Sequence, residues 1–196
     1  MKKKLLFLIS IITFGITNAQ TKEKGTIEIT PKIGWSVFYE DGQYHGSDYH
    51  TGMEFGATAD YYFNNRWSLR SGLIFDEMGG EYYTASSKFV DKLNYLSVPI
   101  NMNWHFGSTR KWNLNFGLSP SFLLNAKTNG SDISKNIESF QLAATYGIGY
   151  KIEVTKKFGI LLDYQFFAGL TNTNRATVEE VRNVGFSFNV GGVIEL

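Results

Sequence analysis

The residues of this chain best equipped to do chemistry are its three histidines. His45 and His50 fall in one polar stretch with Asp41, Ser47 and Asp48. Imidazole and carboxylate groups this close could hold a divalent ion weakly. Ser47, His45 and Asp48 also have the types of a nucleophile, a base and an orienting acid. Neither reading gains a second signal, because a polar loop often contains these residues and a triad is defined by geometry. His105 stands alone beside a short turn and reads as an interfacial residue. The chain has no Cys, which excludes a disulfide framework, a Cys-ligated zinc site and a Cys-linked lipid anchor. Phosphate-cradling glycine loops and nucleotide motifs are absent. The sequence therefore predicts no enzyme, no metal site and no cofactor.

A second set of polar residues is more regular. Glu28, Lys32, Glu54, Asp60, Arg70, Asp76, Lys151, Glu153, Asp163 and Glu195 each sit one step away from bulky apolar neighbours. That placement has meaning only if the chain is a series of strands, where alternate residues face opposite ways. The stretch Trp112 to Leu124 shows the pattern best. Trp112, Leu114, Phe116, Leu118, Phe122 and Leu124 alternate with Asn113, Asn115, Gly117, Ser119 and Ser121. A period of two over this length matches a tilted membrane-crossing strand.

Seven other segments repeat the period, beginning near Ile27, Met53, Trp67, Leu96, Phe140, Phe158 and Val184. Asn64 to Arg66, Gly107 to Lys111 and Thr155 to Lys157 make tight connections. Glu40 to His50, Glu77 to Asp91, Lys127 to Glu138 and Thr171 to Arg182 make long polar ones. Short turns on one rim and long loops on the other are the layout of a transmembrane barrel. The predicted fold is all-β: an eight-stranded, antiparallel, up-and-down transmembrane β-barrel with both chain ends on the short-turn rim. Pro31, Pro99 and Pro120 conflict with a closed ladder and are assigned to bulges or rims.

Size decides which face meets water. An eight-stranded barrel has an interior just wide enough for side chains. The tryptophans and phenylalanines of the bulky face would overpack it, whereas the opposite face is rich in Gly and Ser. The bulky face is therefore assigned to lipid, with aromatic residues such as Trp67, Trp104, Trp112 and Phe158 gathered at the rim as a girdle. The ten charged residues then point inward, where mutual pairing avoids the cost of charge in lipid. They are predicted to form a salt-bridged plug. Two alternatives remain: a narrow porin-like passage for small solutes or ions, and a soluble lipocalin-like ligand-binding barrel turned the other way.

The first nineteen residues read as a signal peptide, with Lys2, Lys3 and Lys4, then an apolar run from Leu5 to Ile16, then Thr17-Asn18-Ala19. Residues 1–19 are assigned to export and residues 20–196 to one barrel domain. Without those three lysines the basic residues, 19 in the whole chain, fall below the 18 acidic ones. That balance excludes a nucleic-acid partner. No later segment is apolar enough to cross a membrane as a helix. The least charged one, Leu93 to Thr109, is interrupted by Asn94, Pro99, Asn101 and Asn103.

The stretch Asn94-Tyr95-Leu96-Ser97-Val98-Pro99-Ile100 resembles the Tyr-Leu-x-Ile-Pro signature of an outer-membrane β-barrel family common in Bacteroidetes, often called porin-family or PorT-like. Gly169-Leu170-Thr171-Asn172 and the closing stretch Phe186 to Leu196 are similar to that family's later strands, and Asn18-Ala19-Gln20 to its signal end. The chain departs from the pattern by ending in Leu196 rather than an aromatic residue, and by the polar Asn101-Met102-Asn103. The resemblance implies residence in the cell outer membrane, with the bilayer as solvent and the barrel-insertion machinery as a partner during biogenesis. The long loops are the candidate contacts for an envelope or extracellular partner. Tyr82, Tyr83 and Phe89 stand out in the second, and Glu179, Glu180 and Arg182 in the fourth.

Overall fold

A computed structural model describes residues 22–42, 47–83 and 86–196. The predicted signal peptide and His45 lie outside the described residues. The β-branched and aromatic alternation produces strands throughout. They are β1 (Ile27–Gly42), β2 (Asp48–Tyr62), β3 (Trp67–Met78), β4 (Gly80–Tyr83), β5 (Lys88–Ser97), β6 (Ile100–Phe106), β7 (Trp112–Thr128), β8 (Ser131–Asp132), β9 (Phe140–Glu153), β10 (Phe158–Gly169) and β11 (Val181–Glu195). One 3-10 turn, Ser134–Asn136, follows β8.

Every pairing between these strands is antiparallel, and β11 pairs back onto β1 from Glu28↔Glu195 to Gly42↔Val181, which closes the sheet into a ring. Closure leaves no free edge, the condition for strands to cross a membrane. Eleven strand segments take the place of the eight uninterrupted strands that the sequence predicts. Two of the extra segments, β4 and β8, are short hairpin partners inside the long connections. The third arises at Val98-Pro99, where the ladder stops between β5 and β6. Both sides of that break keep the same neighbours, β3 and β7, in unbroken register: Ser97↔Ser121 is followed by Ile100↔Leu118, and Ile74↔Ser97 by Ser71↔Ile100.

The prolines explain the break. Pro99 has no N–H to donate, while the Val98 amide still donates to the Pro120 carbonyl at 2.8 Å. Pro120 sits opposite this gap. Pro31 pairs with Ala57 on its β2 side and lies where the β1–β11 register skips from Ile29 to Lys32. All three lie within the walls rather than at a rim.

The tight turns have local causes. The Asn64 side-chain oxygen accepts the amides of Arg66 and Trp67, and the Thr155 hydroxyl accepts those of Lys157 and Phe158. Asn129 and Gly130, both at positive φ, form the two-residue turn between β7 and β8. A register shift between β5 and β7 leaves Leu124 unpaired, and the inward parity passes from odd to even there. Leu123, still on the odd inward parity, packs against the buried cluster, and past the bulge Ala126 takes the inward place.

The two faces are as different as the sequence requires. Trp35, Phe55, Leu73, Ile100, Phe116, Leu118, Phe122 and Tyr146 stand exposed on the outside. A water-soluble chain does not show so continuous an apolar surface, whereas lipid accepts it. Ring pairs such as Trp67–Trp104, Trp104–Phe106 and Phe106–Trp112 run side by side next to the short turns.

Candidate functional site

The interior is the site that the strands position. Alternate residues of each wall meet there, and they sort into layers along the barrel axis.

At the short-turn rim, Glu28 of β1 is buried and accepts from Lys151 of β9 and from Lys22, each at 2.8 Å. The Tyr62 hydroxyl donates to the same carboxylate at 2.8 Å. Lys22 also bonds Glu195, and Lys111 lies 3.7 Å from Glu153. Burial works against the Lys22 ammonium, but the Glu28 and Glu195 carboxylates outweigh it and raise its pKa above the ordinary lysine value. His105 corrects the sequence reading. It points inward, is buried, stacks on Tyr62 at 4.8 Å and bonds the Ser68 hydroxyl at 2.9 Å. Trp104 takes the outward place that the turn sequence suggested for it.

In the middle, Arg70 pairs with Asp60 at 3.0 Å and reaches Asp163 at 3.5 Å. Lys32 pairs with Glu54 at 2.6 Å and lies 3.9 Å from Asp163. Asp76 is the direct register partner of Glu54 and takes its bond from the Ser97 hydroxyl. Four carboxylates thus share the middle layer with two cations. Buried amides fill the remaining bonds: Asn103 donates to Asp60, Asn189 to Glu54, and Asn101 to Asn115. A cavity of about 60 Å³ remains between Lys32, Glu54, Arg70, Asp76 and Asp163.

The half nearer the long loops is different. Phe38, Met78, Leu93, Tyr95, Ala126, Ala143 and Phe167 form one buried cluster, with Leu123, Ile133 and Ile137 packed against it. Phe38 and Phe167 meet edge to face at 5.5 Å. The sequence reading expects a polar plug along the whole lumen; this half instead mixes that apolar cluster with buried polar groups, Gln141 donating to the Met78 sulfur and Asn183 to Gln141 at 3.0 Å, with Glu40 also buried. The parity of β1 and β10 contains the signal, since Phe38 and Phe167 alternate with the outward Val37 and Phe166.

All ten charges predicted for the interior are therefore on inward positions. Eight of them lie in the middle layer or at Glu28 and Lys151, while Glu153 and Glu195 sit half-buried at the rim. Sequence reasoning missed Lys22 and Lys111, which have no strand period around them, and the inward asparagines, which it classed only as small and polar.

The loop residues separate in another way. Ser47 accepts the Glu40 amide at 2.7 Å and His50 pairs with Glu77 at 3.0 Å, while the His45 that the sequence sets beside Ser47 and Asp48 lies outside the described residues. Among the described residues no three His, Cys, Asp or Glu could hold a metal. Tyr82 turns inward and donates to Glu40 at 2.8 Å; burial and that carboxylate push its hydroxyl pKa up. Tyr83 and Phe89 remain exposed. Arg182 pairs with Glu180 at 2.9 Å.

With this geometry in view, the relatives are informative. No protein of curated function matches the sequence. Neisserial surface protein A shares the fold at a TM-score of 0.52 and 15% identity, over 86% of this chain and 97% of its own. The outer membrane protein OprG from Pseudomonas aeruginosa gives 0.55 and 10%, over 89% and 97%. The outer membrane protein AlkL, determined in lipid bilayers, gives 0.50 and 10%, over 92% and 94%. These identities speak for the fold alone, an antiparallel up-and-down transmembrane barrel. Residues 14–175 match the model of the outer membrane protein beta-barrel domain. The closed antiparallel ring agrees with that match, and the chain belongs to the outer membrane protein beta-barrel domain family.

Proposed function

We propose that the chain is a structural and interaction barrel of the outer membrane, closed to solutes, that presents its long loops to partners outside the cell. The observation that carries this reading is the apolar cluster around Phe38, Leu93 and Phe167, which fills the half of the lumen under those loops. Water and ions would have to cross a close-packed layer there, whose buried amides Asn183 and Gln141 are bonded to each other. Below it, the network of Glu28, Lys32, Glu54, Asp60, Arg70, Asp76, Lys151 and Asp163 acts as a structural filling that ties distant walls together.

The unbroken register across Val98-Pro99 favours counting β5 and β6 as one stave. With β4 and β8 left to the loops, the wall then has eight staves, and an eight-stave interior is filled by side chains. Residues 1–19 serve as the export signal and residues 20–196 as the single barrel domain, inserted with the help of the barrel-insertion machinery. The Asn94–Ile100 and Gly169–Asn172 motifs favour the Bacteroidetes, PorT-like branch. The long-loop rim is extracellular, as in barrels with short periplasmic turns. The role is non-enzymatic.

The mid-lumen cavity favours a second reading, a narrow passage for small solutes or ions. Liposome swelling separates the two. Vesicles loaded with the pure protein stay osmotically inert to small sugars and amino acids under the first reading. Swelling in proportion to protein content would support the passage instead.

A further inference from the structure

Lys92 of β5 and Lys127 of β7 are direct register partners. Both face outward: their inner neighbours Leu93 and Ala126 are fully buried, and Asp91 and Thr128 bond each other on the lumen side. Cβ atoms of such partners stand about 5 Å apart, where two like charges repel. Directly beneath them Asn94 donates to Asn125 at 2.9 Å, and beneath that the exposed Phe122 and Leu124 begin the lipid belt. The pair therefore stands at the height of lipid headgroups.

Three other cations of this rim are matched. Lys88 meets Glu81 at 2.6 Å, Arg175 meets Glu138 at 2.9 Å and Arg182 meets Glu180 at 2.9 Å. Lys92 lies 3.2 Å from Glu77, a carboxylate it shares with His50. Lys127 forms no salt bridge among the described residues. Its other register neighbour, Asp132, accepts the Ser134 amide at 2.8 Å; that bond first, and then the nearby charges of Lys127 and Lys135, lower the acid's pKa, but Asp132 forms no salt bridge with Lys127.

We propose that Lys92 and Lys127 clamp a phosphate group of an outer-leaflet glycolipid. A phosphate monoester carries between one and two negative charges near neutral pH and offers three acceptor oxygens, enough to satisfy both ammonium groups and cancel their repulsion. Lysine suits this task as a point charge on a flexible stem. The proposal rests on reading the long-loop rim as extracellular.

Native mass spectrometry of the full protein in maltoside detergent, with diphosphoryl lipid A as the probe, tests it. The wild-type protein is expected to retain this lipid roughly 30-fold better than its dephosphorylated form, about fivefold per lysine. Lys92→Gln/Lys127→Gln is expected to lose that preference, while Lys156→Gln at the opposite rim keeps it. Equal retention by wild type and double variant would overturn the clamp, as would equal retention of both lipids. Competition by inorganic phosphate at the affinity of the lipid would mean that free phosphate is the ligand.

A second readout guards against a merely unfolded variant. In maltoside alone Lys127→Gln is expected to raise the unfolding temperature, because one of two repelling charges is gone; with diphosphoryl lipid A present it lowers it. The same sign in both conditions would contradict the proposal. Protease access to the loops in whole cells checks orientation separately, so an inverted barrel is distinguishable from a failed clamp.

Discussion

Lys151 reaches across the barrel to Glu28, 123 residues earlier in the chain, at 2.8 Å. The two strands that carry them are separated in the wall by β10 and β11, so the bond spans the lumen rather than a ladder. Glu28 also holds Lys22 and Tyr62, whereas Lys151 depends on Glu28. Glu28→Gln is therefore the more damaging change. It leaves two buried ammonium groups short of a partner and is expected to cost about 3–5 kcal/mol. Lys151→Met leaves Glu28 with Lys22 and the Tyr62 hydroxyl, and is expected to cost less than half as much. Urea titration of vesicle-inserted protein checks the order; equal costs would mean the cross-lumen bond is not formed.

The middle layer makes a contrasting prediction. Asp60 accepts from Arg70, Ser68 and Asn103. Asp76, facing the Glu54 carboxylate in register, accepts from Ser97. Asp60→Asn removes the charge that Arg70 needs and is expected to destabilise by about 3 kcal/mol. Asp76→Asn relieves repulsion between carboxylates at constant shape, so it is expected to be neutral or stabilising by about 1 kcal/mol. The same urea titration reads both, and a large loss for Asp76→Asn would show that its charge has a partner the layer does not reveal.

Much of this arrangement was legible in the sequence, because a period of two assigns every residue to a face. The alternation from Trp112 to Phe122 places each outer and inner side chain of β7 correctly, and the ten inward charges follow from the same parity. What escaped had physical causes. The Pro99 gap splits one stave without shifting its register, so segment count and wall count diverge. The Leu124 bulge reverses parity, which sends Ala126 inward, while Leu123 is a large residue on the inward parity. Phe38 and Phe167 are large residues on the small face, and a composition argument that assigns bulk to lipid overlooks them. The turn beside His105 suggests an interfacial residue, whereas its parity with the buried Asn101 and Asn103 places it inward.

The outer face yields a depth-dependent prediction. Leu118 stands exposed near the middle of β7, and Val154 stands exposed beside the Thr155 turn. Leu118→Arg is expected to cost about 2–4 kcal/mol, and Val154→Arg about 0–1 kcal/mol. Refolding equilibria into phospholipid vesicles measure both. Equal costs at the two depths would contradict the placement of the hydrocarbon belt.

The closed lumen is the central claim, and single-channel recording in planar bilayers tests it most directly. The wild-type protein is predicted to give no steady conductance steps. Phe38→Ala/Leu93→Ala/Phe167→Ala, which empties the apolar layer above the cavity, is predicted to give small, steady ones. Steady steps from pure wild-type protein, unchanged by emptying that layer, would contradict the account.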